Sequence, residues 1–206
     1  MSIQKYEEMN EMELDIIKEI GSIGNGNAAT ALSGLLSAEV KMPLPKVEVL
    51  EFNEALSHVG DPEDVVAGIL VEMSGEIQGI MLFILSQEFA DEILRRAIGK
   101  PETDFLEMSG IEASVLTEIG NIMISSYISA LASLTNVNIS LSVPQMTVNM
   151  LGGILSLPMA MMGLNSDRIM MITGKFKIED KELDSDMLLL PDVKSLNVLM
   201  RKLGVE

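Results

Sequence analysis

The strongest constraint on this chain is that it is written twice. The stretch "DIIKEIGSIGNGNAATALSGLLSAEVKMPLPKVEV", beginning at Asp15, lies over "SVLTEIGNIMISSYISALASLTNVNISLSVPQMTV", beginning at Ser114, at a constant offset of 99 residues and without a gap. Glu19 falls on Glu118, Ile20 on Ile119, Gly21 on Gly120 and Ile23 on Ile122; farther on, Ala31, Leu32, Leu35 and Pro45 fall on Ala130, Leu131, Leu134 and Pro144. Repetition over such a length implies two copies of one supersecondary unit, each in need of the other to bury its apolar face.

The segments C-terminal to the two copies are also alike. In the first half "VVAGILVEM" and "IQGIMLFIL" read as strands joined in a hairpin at "SGE", and "QEFADEILRRAIG" reads as a helix stopped by Gly99. In the second half "RIMMITGKFKI" and "SDMLLLP" are the strands and "DVKSLNVLMRKLG" the helix stopped by Gly204. Each half is therefore predicted to be an α-β-β-α unit, with approximate limits 12–100 and 111–204. The Pro-containing polar stretch 99–110 joins them. Pairing the strands of both halves in one sheet, with the two repeated helices lying across it by pseudo-twofold symmetry, predicts a single α/β domain over residues 1–206.

Composition restricts the partners. Fourteen basic against 31 acidic residues give a net charge of -17, which repels nucleic acid and anionic bilayers and favours a partner with a basic patch. With no cysteine, thiol chemistry and disulfides are excluded, in keeping with a reducing cytoplasm, the expected location. The N-terminal "MSIQKYEEMNEMEL" lacks the order of a signal peptide. The apolar stretch 152–164 is shorter than the roughly 20 residues of a membrane span and contains Pro158, so it reads as buried or partner-facing. Aromatic residues make up only 3%, leaving aliphatic side chains and 17 methionines to fill the core.

The glycines of "EIGSIGNGNAAT" are not a phosphate loop. Such a loop follows a strand and opens a helix, whereas Met12, Ile16, Ile20 and Ile23 place this one within a helix. The second copy also has Met123 and Ser125 where the first has Gly24 and Gly26. Both copies keep a Glu, a Gly two residues on and a small polar residue three on. Glu118 and Asn121 share a helix face, as do Glu19 and Ser22. A mid-helix glycine costs about 1 kcal/mol relative to Ala. Two readings account for it: Gly120 leaves the face open to a partner, or Gly21 and Gly120 let the repeated helices cross closely.

At these residues the sequence resembles the CheC/CheX/FliY family of chemotaxis phosphatases. The family pattern is Asp or Ser, three residues, Glu, two residues, Asn, twenty-two residues, then Pro. Ser114, Glu118, Asn121 and Pro144 match it throughout; Asp15, Glu19 and Pro45 match it in the first copy, where Ser22 stands in place of Asn. The duplication over the whole chain is similar to the CheC-type members. The resemblance implies hydrolysis of the aspartyl phosphate of a CheY-like response regulator. In it Asn121 orients the attacking water, Glu118 pairs with a lysine of the response regulator, and the Mg²⁺ belongs to that partner, the chain having no cofactor of its own. It implies further that Glu19 and Ser22 form an altered site, and that a helix in the region 152–164 docks a CheD-like receptor deamidase.

Other polar clusters carry less. His58 is the only histidine, in "ALSHVGDPEDV", a loop or helix end. The carboxylates at 61–64 read as a helix start or solvated turn, and those at 179–186 as a solvated hairpin without EF-hand spacing. Asn25 and Asn27 lie roughly 240° and 80° around the helix from Glu19, so neither replaces the missing Asn. Met159, Met161 and Met162 suit either a core or an adaptable partner surface. Two other classes of function stay open: a non-catalytic adaptor that binds the phosphorylated response regulator or regulates CheD, and a structural domain of the flagellar switch. An internal twofold lowers the need for self-association, so a monomer is expected.

Overall fold

A computed structural model of the chain describes residues 3–162 and 168–205. Two 26-residue helices, α1 (Glu11–Leu36) and α4 (Gly110–Thr135), dominate it. Both begin in a capping box. Asn10 accepts from the Glu13 backbone while Glu13 accepts from the Asn10 backbone, and Ser109 and Glu112 do the same for α4. Both end on a left-handed residue, Ser37 (φ 49°) and Asn136 (φ 52°). The caps and the left-handed ends fall at the same 99-residue offset as the sequence match.

After α1 come β1 (Val40–Lys41), β2 (Lys46–Glu51), α2 (Phe52–Val59), β3 (Val65–Gly75), β4 (Gly79–Leu85) and α3 (Gln87–Ile98). After α4 come β5 (Ile139–Leu141), β6 (Gln145–Met150), α5 (Leu151–Met162), β7 (Arg168–Ile178), β8 (Lys181–Pro191) and α6 (Val193–Leu203). Gly99 and Gly204, both with positive φ, stop α3 and α6.

Among the described residues eight strands form one antiparallel sheet in the order β1-β7-β8-β4-β3-β5, with β2 also on β7 and β6 also on β3. The middle of the sheet is the β4/β8 pairing, from Gly79 opposite Pro191 to Ile84 opposite Asp186. Each outer layer crosses between halves: β1 and β2 lie on β7, whereas β5 and β6 lie on β3.

The sheet is covered on both sides, and here the fold is richer than helix, strands, helix. Residues 66–71 of β3 and 80–85 of β4 are buried without alternation, the pattern of a strand with no solvated face. Successive residues point to opposite faces. Ile69 meets α4 at Gly120, and Gly68 meets α5 at Ile154. The second face needs cover, which α2 and α5 supply. His58 accordingly lies exposed in the last turn of α2, and residues 61–64 form the turn into β3. The apolar stretch 152–164 lies in α5 as far as Met162; Gly163 and Leu164 fall outside the described residues.

Between the sheet and the long helices sit Ile17, Ile20, Met81, Ile128, Leu131, Ile172 and Leu189. Met81, Met123, Met170, Met171, Met187 and Met200 are all buried, so methionine is core material here. Among the described residues α4 alone is long and apolar enough to cross a membrane by length and composition. Half of that apolar window is buried, with Leu116, Ile119, Met123 and Ile124 in the core, so core packing accounts for its hydropathy.

Candidate functional site

Helix α4 carries Glu118 exposed to solvent and Asn121 half-buried, one turn apart on the same face. Among the described residues neither side chain has a hydrogen bond or an ion pair with another protein group. The carboxylate and the carboxamide are therefore available to a partner. Ser114, a turn before Glu118, turns its hydroxyl back to donate to the Gly110 carbonyl at 2.7 Å.

The turn that starts this helix is firmly anchored. Glu112 accepts from Lys100 Nζ at 2.6 Å, Ser109 Oγ at 2.6 Å and Thr103 Oγ1 at 2.5 Å. Lys100 above all, then the two hydroxyls, hold its carboxyl down at about 2. Residues 99–110 are thus stitched to the helix they precede, fixing its entry.

Gly120 does not open the Glu118 face. Two residues correspond to about 200° of rotation, so it points away from Glu118 and into the sheet. A Cβ there would collide with Ile69 Cδ1 and sit 2.9 Å from Ile69 Cβ. Gly120 lets α4 lie directly on β3. Helix crossing accounts instead for the first-copy glycines. A Cβ on Gly24 would lie 3.0 Å from Tyr127 Cα, and one on Gly21 would lie 3.3 Å from the Tyr127 ring and 2.9 Å from Pro45 Cγ.

On α1, Glu19 is exposed and Ser22 half-buried. They occupy the places of Glu118 and Asn121, with a shorter polar arm. Asn25 does not supply the missing carboxamide. It is buried, accepts from Tyr127 Oη at 2.5 Å and donates to the Pro43 carbonyl at 2.7 Å. Asn27 is exposed. The two glutamates do not converge. Tyr127 is the α4 residue that faces Gly21, and Glu118 precedes it by nine residues, about 14 Å along the helix. The arrangement is two separate faces, not one carboxylate dyad.

Two residues escaped the sequence reading. Leu44 is 58% exposed and Val143 is 81% exposed, each immediately before the proline that closes its motif. The signal was present, since both fall in the aligned repeat, but exposure of an apolar residue is invisible to pattern alone. Among the described residues no three carboxylate or imidazole groups converge as a metal site.

The CheC-like family model matches residues 111–148, a span that contains Glu118, Asn121 and Pro144. The CheY-P phosphatase CheC of Bacillus subtilis is 33% identical over 200 residues, 95% of this chain and 96% of that protein. The flagellar motor switch phosphatase FliY of the same species is 32% identical over 146 residues, which make up 69% of this chain and 37% of FliY. In fold, the crystal structure of Thermotoga maritima FliY matches 96% of this chain with a TM-score of 0.77 at 21% identity. A relative this similar along nearly its whole length settles the matter of kinship: the chain belongs to the CheC-like family.

Proposed function

We propose that this chain hydrolyses the aspartyl phosphate of a CheY-like response regulator, with Glu118 and Asn121 as its working pair. The observation that carries this reading is a solvent-facing carboxylate beside an unengaged carboxamide on a rigidly anchored helix, in a chain of the CheC-like family. Phosphoryl transfer to water asks the protein for positioning more than for covalent chemistry. The Asn121 carboxamide holds a water in line with the bond to be broken. The water oxygen bonds to phosphorus as the acyl phosphate bond breaks. The aspartate leaves as carboxylate, and both protons of the water end on the released phosphate as dihydrogen phosphate, which exchanges them with solvent. Glu118 pairs with a lysine of the partner and fixes the register. The Mg²⁺ that neutralises the phosphoryl oxygens belongs to the response regulator.

Ser22 favours a different role for the first face. A hydroxymethyl group is shorter than a carboxamide, so Glu19 keeps its pairing role while the water is left unheld. The adaptor reading thus attaches to α1. The exposed Leu157 and Met161 of α5 offer an apolar surface for a CheD-like deamidase.

The test is decay of phosphorylated CheY. Asn121→Ala lowers the acceleration on the order of 100-fold or more, as loss of one positioned polar group does, and Ser22→Asn raises turnover. Binding without any acceleration by the wild-type chain would replace the enzyme by the adaptor.

A further inference from the structure

The twofold that relates the halves fails at one place in the middle of the sheet. The helix caps Ser86 and Asp192 correspond, and the residues before them align Ile80 with Asp186, Met81 with Met187 and Ile84 with Leu190. The β4/β8 register obeys this alignment, because Ile80 pairs with Leu190 and Ile84 with Asp186. The first pair is aliphatic and buried, with Ile80 at 4% exposure. In its image a carboxylate stands where the fold takes an aliphatic side chain, a costly exchange unless the charge has a use.

Asp186 lies on the face of the sheet that α4 does not touch. It is in register with Ile84, and Ile84 with Gly68, whose neighbour is Ile154 of α5. There it borders a cavity of about 380 Å³, within the range of small-ligand sites. Val66 and Ile84 of the sheet, Val59 at the end of α2 and Leu151 at the start of α5 give the cavity apolar walls. Its other polar groups are engaged. Asp64 accepts from the Asp61 backbone at 3.0 Å, Ser86 accepts from the Phe89 backbone at 3.2 Å, and Gln87 donates to the Thr103 carbonyl at 2.7 Å. Glu88 lies 3.5 Å from Lys181, and Asp184 lies 2.5 Å from Lys175. Asp186 alone among them has no hydrogen bond or ion pair with a described residue.

We propose that this cavity binds an aliphatic diamine, with one ammonium on Asp186 and the methylene chain on the apolar walls. Asp184 supplies the second seat. It stands two residues before Asp186 on the same face of β8, about 7 Å away, and Lys175 holds only its Oδ1, leaving Oδ2 to the ligand. Among the described residues these carboxylates do not converge as a metal site. They repel an anion, and the walls suit a hydrocarbon chain, so the occupant is an organic cation. The cavity lies across the sheet from α4 and does not rest on the phosphatase reading.

The charged groups around Asp186 are Asp64 from the turn before β3, Glu88 of α3, Asp184 of β8, Lys175 of β7 and His58 of α2. Burial raises Asp186 to about 6, with the His58 charge opposing the shift. The site is therefore charged and ready for a cation only above that pH.

The experiment is a calorimetric titration of the full chain with putrescine in roughly 0.15 M salt, which screens attraction to the acidic surface, with butane-1,4-diol as the uncharged control. Wild type binds one putrescine and no diol. Asp186→Asn weakens binding by about tenfold or more, the weight of one charge-assisted hydrogen bond, and Asp184→Asn weakens it by a smaller factor. Wild-type affinity falls by about tenfold between about pH 7 and pH 5, as the Asp186 carboxylate takes up its proton, and that fall is lost in Asp186→Asn. Asp186→Ile, which copies Ile80, abolishes binding and raises the melting temperature, so the test survives if the Asn variant folds poorly. Absence of putrescine binding by wild type, equal binding of the diol, or an affinity unchanged in both Asp186 variants overturns the proposal, the last being the mark of loose attraction to the net charge.

Discussion

Replacing Gly120 by Ala isolates the contact that seats α4 on the sheet. In an unobstructed helix this change is stabilising by about 1 kcal/mol, because Ala is the better helix former. At Gly120 the new methyl would run into Ile69 Cδ1 and lie 2.9 Å from Ile69 Cβ, and the second atom is the harder obstacle, since it cannot rotate away. Ile69 is fully buried and branched at Cβ, so α4 has to lift from β3 by roughly half an ångström or more. Overpacking of this kind costs about 1–3 kcal/mol. The expected net is a loss of up to about 2 kcal/mol. Gly26, in the same kind of helix, has nothing within 4 Å of a Cβ, so Gly26→Ala is expected to gain about 0.5–1 kcal/mol. Urea midpoints of the two variants should fall on opposite sides of wild type. The decay assay adds a second reading, because a shift approaching 1 Å at Asn121 lowers turnover by up to about 100-fold. If Gly120→Ala proved as stabilising as Gly26→Ala, the packing argument would be refuted.

Two further outcomes concern the buried polar groups. Tyr127→Phe leaves the Asn25 oxygen without its donor in a buried site and should lower stability by about 1–3 kcal/mol in urea denaturation; an unchanged midpoint would show that the relay holds nothing. Asp186, pushed up to about 6 by burial, with the His58 charge opposing the shift, binds its proton more tightly folded than unfolded. Its contribution is therefore gained as pH falls from about 7 towards 4, whereas Glu112, held at about 2 chiefly by Lys100, contributes stability that is lost as pH falls below the ordinary carboxylate range. Thermal melts should show the wild type gaining between pH 7 and 5, Asp186→Asn showing no such gain, and Glu112→Gln losing the steep acid limb.

Much of this architecture was legible, and the rest was hidden for specific reasons. The long helices, the β3/β4 hairpin and the glycine stops at 99 and 204 each have a local signature. Helices α2 and α5 do not. "FNEALSHV" is too short to show its period, and "LGGILSLPMAMM" is apolar all round and interrupted by Pro158, which hides any period. The unbroken apolar runs at 66–71 and 80–85 were the clue that a second layer had to exist. For the candidate site, spacing put Glu118 and Asn121 on one helix face and the family resemblance singled them out, while rotation by 100° per residue already places Gly120 on the far side of the helix. Tyr127 was beyond reach, because its partners Gly21, Gly24 and Asn25 come from the other half of the chain.

The exchange of outer strands has a consequence for how such a chain can change over generations. The first half lends β1 and β2 to the second half's β7 and takes β5 and β6 in return. Neither half can be deleted without stripping the other of its sheet border. Selection on either half thereby preserves the whole of the other, and keeps it open to a new use.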